Sequence, residues 1–147
     1  MNAERLLLAR IGTETFAFPL AEVIEATEAV EVTPLSLLPT GVVGQCVYRD
    51  RLLPVIDGGA LLGVRRTAAT GVMLVIVVAG ERVALWVDDV VDMVTLEAHR
   101  LRAVPAGNGA AGALLRGVVD LGTGIAALVS MDDVRASVRA RLMMEVA

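Results

Sequence analysis

Apolar residues fall in short runs along this chain, each stopped by glycine, proline or charge, and the longest, residues 72–79, ends at Gly80-Glu81-Arg82. Runs of this length bounded by turn residues predict β-strands. Residues 6–11 and 15–19 flank Gly12-Thr13-Glu14, a hairpin in which Gly12 supplies a positive φ. A strand is predicted over 24–32, a connector over 35–38 between Pro34 and Pro39, and a second hairpin from the strands 42–48 and 52–56. Residues 63–71 form the best internal boundary, beyond which the pattern repeats: 72–79 with 83–87 around Gly80-Glu81, 90–96, 101–104, and 114–121 with 125–129 around Gly122-Thr123-Gly124. The glycine- and alanine-rich stretch 105–112 reads as a loop. From Ser130 the period changes to that of a helix: Ser130 is a suitable N-cap, Asp132 and Asp133 sit in the first turn, and Met131, Val134, Val138 and Leu142 make one apolar stripe. Arg135 and Arg139 lie off that stripe, on an edge expected to be solvated.

The chain of 147 residues reads as a single domain of mostly β structure, with approximate halves 1–70 and 71–147. About five strands in each half suggest a pair of small barrels followed by the helix. Neither half has much core alone, so a shared interface between them is expected. An apolar content of 56% makes weak self-association plausible. No run approaches the ~20 apolar residues of a membrane-spanning helix, and the start lacks a secretory pattern, so a cytoplasmic protein without membrane insertion is expected.

All 13 basic residues are arginine, set against 17 carboxylates, for a net charge of −4. An acidic chain with 3% aromatics lacks the basic groove and stacking platforms that nucleic acid requires. Residues 14–31 carry Glu14, Glu22, Glu25, Glu28 and Glu31 with no basic residue, a solvated or partner-steering face.

Catalytic constellations are thin. Asp57-Gly58-Gly59 resembles the active loop of aspartic proteases but lacks its hydroxyl residue, and Asp57 is more simply a strand end capping the turn into Leu61-Leu62-Gly63. Asp120-Leu121-Gly122-Thr123-Gly124 resembles a phosphate loop, although a tight hairpin explains it equally well. A small acidic β-barrel enzyme using Asp57 or Asp120 is therefore the alternative to a binding protein, with a generic oligomerising β-domain as the third reading. Asp88, Asp89 and Asp92 lack the glycine turn of a calcium loop, and strand alternation sends Asp88 and Asp89 to opposite faces. His99 is the sole histidine, Cys46 reads as a buried apolar residue, and Trp86 reads as core. No cofactor or metal is implied.

The hairpin Gly44-Gln45-Cys46-Val47-Tyr48-Arg49-Asp50-Arg51-Leu52-Leu53-Pro54-Val55-Ile56-Asp57 lifts one arginine clear of a sheet. It resembles the signature of the CheW-like adaptor family, a strand ending Asn-Leu-Arg-Gly that turns into one ending Pro-Val-x-Asp. The resemblance covers nearly the whole chain in order. Phe16 to Glu25 resembles Tyr-x-Ile-Pro-x-x-x-Val-x-Glu, Pro39 with Gly44 leads into the hairpin, and Leu62-Gly63 follows it. Leu85-Trp86-Val87-Asp88-Asp89-Val90 resembles the family's Val-Asp-x-Val strand pair, and Arg116-Gly117-Val118 with Ala127 to Met131 resembles its closing segments. Two departures stand out: Val47 replaces the asparagine and Asp50 the glycine. The resemblance implies two SH3-like five-stranded barrels and a free-standing adaptor with no enzymatic activity. It also implies coupling of the cytoplasmic tips of methyl-accepting chemoreceptors to the regulatory domain of a CheA-type histidine kinase. Carried over by position, Val23 and Glu25 belong to the partner face, with Arg49 and Asp50 at the signature turn. Asp50 is expected to compete for the Arg49 guanidinium.

Overall fold

The computed structural model describes residues 3–28, 31–34, 41–67, 71–105 and 112–143. β1 (Arg5–Ile11) and β2 (Glu14–Pro19) form the first hairpin, and a 3-10 turn at Leu20–Glu22 leads to β3 (Glu25–Glu28). β4 (Val42–Tyr48), β5 (Arg51–Asp57), α1 (Gly58–Leu62), β6 (Val72–Val78) and β7 (Glu81–Val87) follow. The chain closes with β8 (Asp89–Thr95), β9 (Leu101–Arg102), β10 (Leu115–Asp120), β11 (Ile125–Val129) and α2 (Met131–Met143). The strands make a six-stranded sheet in the order β8-β1-β2-β11-β10-β9 and a five-stranded sheet in the order β3-β6-β7-β5-β4.

These sheets do not follow the chain's halves. The five-stranded sheet is one continuous stretch, β3 to β7, inserted between β2 and β8 of the other. Two parallel pairings bring this about: β2 lies beside β11 with Phe16 opposite Ala127, and β5 lies beside β7 with Ile56 opposite Leu85. The strands β1, β2 and β8–β11 are called here the terminal barrel, and β3–β7 the inserted barrel. Of the strand predicted over 24–32, the described residues show β3 at Glu25–Glu28, with Thr33 making an isolated bridge to Gln45, and residues 29–30 lie outside the described residues. The connector 35–38, Pro39 and most of the predicted loop 105–112 lie outside the described residues.

Alternation along each strand sorts side chains into three cores. From β1, Leu6 and Leu8 fill the terminal barrel with Ala17, Val119, Ala126 and Leu128. From β6 and β7, Met73, Val75 and Ala84 fill the inserted barrel with Cys46, Leu53 and Val55. The intervening residues point the other way: Leu7, Ala9 and Ile11 of β1 meet Leu74, Ile76 and Val78 of β6 and Val83, Leu85 and Val87 of β7 in a shared core between the barrels. That is why β6 reads as an unbroken apolar run, and β1 from Leu6 as one broken only by Arg10; strands covered on both faces have little polar side to show.

α2 seals the edge of the shared core with Met131, Val134 and Val138. Ser130 caps it, its hydroxyl accepting from the Asp133 N–H at 3.4 Å. Arg135 is not simply solvated: it donates to the Val77 carbonyl at 3.0 Å and pairs with Glu22 in the 3-10 turn, tying the helix to both barrels. Leu74→Ala, at a fully buried position of the shared core, is expected to cost about 2–5 kcal/mol in urea unfolding followed by Trp86 fluorescence. Leu52→Ala, at a position 67% exposed, is expected to cost under ~0.5 kcal/mol in the same experiment.

Candidate partner-binding site

β4 and β5 are joined by Arg49 and Asp50 alone, the last paired residues being Tyr48 and Arg51. Both loop residues take left-handed backbone, with φ of 48° and 62°, as a two-residue hairpin of the primed type demands. For residues with a Cβ this conformation costs roughly 1–2 kcal/mol each, and such strain persists where surrounding contacts dictate it. The contacts come from β3 and from the end of β4. Arg49 Nη2 donates to Glu25 Oε2 at 3.0 Å, and Arg49 Nε donates to the Tyr48 hydroxyl at 2.9 Å. The Tyr48 hydroxyl donates in turn to the same Glu25 carboxylate oxygen. β3 and β4 are the two edges of the five-stranded sheet, so this triad, with the Thr33–Gln45 backbone bonds of 2.8 and 3.0 Å, closes the seam of the inserted barrel.

Arg49 remains accessible, its side chain 66% exposed against 33% for Glu25. Exposed apolar side chains lie on the strands that carry the triad: Val47 and Leu52 sit opposite each other at 61% and 67% exposure, and Ile24 precedes Glu25 at 46%. A fixed guanidinium rimmed by uncovered apolar side chains has the composition of a protein-binding hot spot. The structure thus brings Glu25 and Arg49 together. Val23 is half-buried against the shared core where the chain passes between barrels, and Asp50 is exposed at the tip. No hydrogen bond or ion pair joins Asp50 to Arg49; Glu25 and Tyr48 hold the guanidinium instead. Tyr48 is the residue that sequence reasoning missed. Its polar tip beside an arginine, at the end of a strand, was the available signal.

The expected acidic face is partly neutralised, since Glu25 is paired with Arg49 and Glu22 with Arg135. The Tyr48 hydroxyl, and next the Arg49 guanidinium, hold the Glu25 carboxyl below its ordinary pKa, against a smaller opposing effect of burial. A depressed carboxylate contributes stability above its unfolded pKa and loses it as pH falls through the folded one, so the seam loosens only in acid. Arg49→Ala removes the second of these causes. Carboxyl NMR titration is expected to show Glu25 titrating at higher pH in that variant, and an unchanged midpoint would contradict the triad.

The other candidates are engaged structurally. Asp57 accepts from the Gly59 and Ala60 N–H groups at 2.8 and 3.3 Å, capping α1 as expected. Asp120 accepts from the Gly122 N–H at 2.8 Å and lies 3.8 Å from Arg102, inside a tight β10–β11 hairpin. Asp88, in the bend between β7 and β8, is buried and Asp89 exposed, and Asp88 accepts backbone N–H groups from Gly12 and Thr67. Trp86 is half-buried, with the Arg66 guanidinium stacked 3.7 Å from the ring centroid. Cys46 is buried, which pushes its thiol pKa up, and His99 is exposed 3.5 Å from Glu97.

Two small barrels joined through a common core, with an exposed arginine on a strained hairpin, define a binding scaffold. The family model of the CheW-like domain matches residues 5–138. The chain belongs to the CheW-like family, and each barrel is of the SH3-like kind. It is 31% identical over 107 residues to the chemotaxis protein CheW of Rhizobium meliloti (strain 1021), covering 71% of this chain and 69% of that one. The crystal structure of the scaffolding protein TtCheW from Thermoanaerobacter tengcongensis superimposes with a TM-score of 0.78 at 16% identity, over 88% of this chain and 85% of that chain. The protein is therefore a non-enzymatic scaffolding adaptor of chemotaxis. Among the described residues, no helix is long and apolar enough to cross a membrane.

Proposed function

We propose that this adaptor works in the cytoplasm, coupling the tips of methyl-accepting chemoreceptors to the regulatory domain of a CheA-type histidine kinase. The observation that carries the reading is the Glu25–Tyr48–Arg49 triad. Three hydrogen bonds fix the guanidinium through Nε and Nη2, while Nη1 has no partner among the described residues. An arginine already held in one place loses little freedom on binding, so more of its interaction energy appears as affinity.

The apolar rim of Val47, Leu52 and Ile24 supplies area that a kinase barrel would cover. Val23 stands beside the passage between barrels, where an amphipathic receptor helix would pack. Individually weak contacts suffice in an array, because linked sites bind with raised effective concentration. Weak self-association finds support in Val91 and Met93, each 48% exposed on the edge strand β8.

Titration calorimetry against the regulatory domain of a CheA-type kinase from the same genome is expected to show micromolar or tighter binding. Arg49→Ala is expected to weaken it about tenfold or more, ~1.4 kcal/mol, with the fold intact. Val23→Asp and Glu25→Lys are expected to impair receptor binding in parallel titrations against a receptor tip fragment. Loss of thermal stability matching the loss of affinity in Arg49→Ala would make the arginine purely structural.

A further inference from the structure

The chain passes from the terminal to the inserted barrel at the 3-10 turn and returns at Asp88, between β7 and β8. The return is tied by a buried charge. The Asp88 side chain is 0% exposed. Its Oδ2 accepts from the Gly12 N–H at 2.6 Å, from the Thr67 N–H at 3.0 Å and from the Thr67 hydroxyl at 3.3 Å. Its Oδ1 lies 3.2 Å from the Thr67 nitrogen and 3.7 Å from Arg66 Nη1, and its own N–H donates to the Arg10 carbonyl at 3.0 Å. Gly12 is the β1–β2 turn of the terminal barrel, whereas Arg66 and Thr67 belong to the segment after α1 in the inserted barrel. One carboxylate therefore draws donors from both barrels.

Arg66 extends the connection. Its Nε lies 3.6 Å from Asp57 Oδ1, the cap of α1, and its guanidinium covers Trp86. The two backbones meet closely at this point: a Cβ at Gly12, where φ is 61°, would stand 2.6 Å from the Arg65 carbonyl oxygen. Glycine is thus required by contact as well as by conformation.

Apolar burial holds the barrels together but is non-directional, and two covered sheets can slide and still stay dry. A carboxylate removed from water is different, because its lone pairs must be met by donors at fixed distance and angle. Gly12 and Thr67 both reach Asp88 only over a narrow range of barrel orientations. We infer that Asp88 is a positioning residue that sets the angle between the two barrels, and through it the shape of the surface that spans them. That this surface receives a receptor helix rests on the adaptor reading; the positioning of the barrels does not.

The test is a spin-label distance measurement on the full chain with Cys46→Ala. One pair of labels spans the barrels at the exposed sites Arg82→Cys and Thr123→Cys, and a control pair lies within the inserted barrel at Arg51→Cys and Arg82→Cys. With Asp88 intact, a single narrow distance is expected for both pairs. Asp88→Ala, which removes both acceptor oxygens, is expected to lose the single peak in the spanning pair and keep it in the control. An unchanged spanning distance in folded Asp88→Ala would overturn the inference. Should that variant fail to fold, Arg66→Met decides by the same two readings, since it keeps apolar cover on Trp86 while removing the charge beside Asp88. Kinase binding measured on the unsubstituted protein bears on the adaptor reading separately, because the distances are read without a partner.

Discussion

The central strands of this protein have apolar side chains to bury on both faces, and one small barrel can cover only one of them. Leu6 and Leu8 turn into the terminal barrel while Leu7 and Ala9 turn out of it, and the same division separates Met73 and Val75 from Leu74 and Ile76 on β6. The outward residues are matched only by the outward residues of the other barrel. At roughly 25 cal/mol per Å² of apolar surface, leaving this face wet would cost more than a small barrel's whole net stability. The two barrels are therefore obligatory partners within one chain, and α2 completes their joint cover through Met131, Val134 and Val138.

That constraint leaves the outer surfaces free for recognition. Residues facing the shared core or the barrel interiors have little latitude, whereas the β4–β5 hairpin projects beyond them with Val47 and Leu52 uncovered. The strain of two left-handed residues without glycine is offset by the bonds of Tyr48 and Arg49 to Glu25 on β3, which also close the barrel seam. Arg49 thus has a structural partner on one side and open donors on the other. Asp50 changes less than its charge suggests, because Glu25 and Tyr48 already hold the guanidinium and fix its direction.

Local chemistry was legible in the sequence wherever one or two residues decide a conformation. Gly12 turns the first hairpin, Asp57 caps α1, Ser130 starts the last helix, and the unbroken run 72–79 reads as a covered strand. The family signature was legible too, since it depends on ordered spacing. What escaped were pairings with no local signal. Phe16 beside Ala127 joins opposite ends of the chain, and it is this contact that replaces sequential halves by an insertion. Arg135 read as a solvated residue because Glu22 and the Val77 carbonyl are remote in sequence, and Tyr48 gave no sign of its bond to Glu25 for the same reason. Within the candidate site, Glu25 and Arg49 were named but their contact was not, while Val23 proved half-buried where its neighbour Ile24 is the exposed residue.

The proposed role requires one molecule to engage a receptor and a kinase at once, and that simultaneity is open to direct measurement. Membranes bearing receptors are mixed with a CheA-type kinase, with and without this protein, and the kinase that sediments with the membranes is quantified. The account predicts kinase in the pellet only when the adaptor is present, together with the adaptor itself. Equal sedimentation of the kinase without the adaptor, or none with it, would contradict the account.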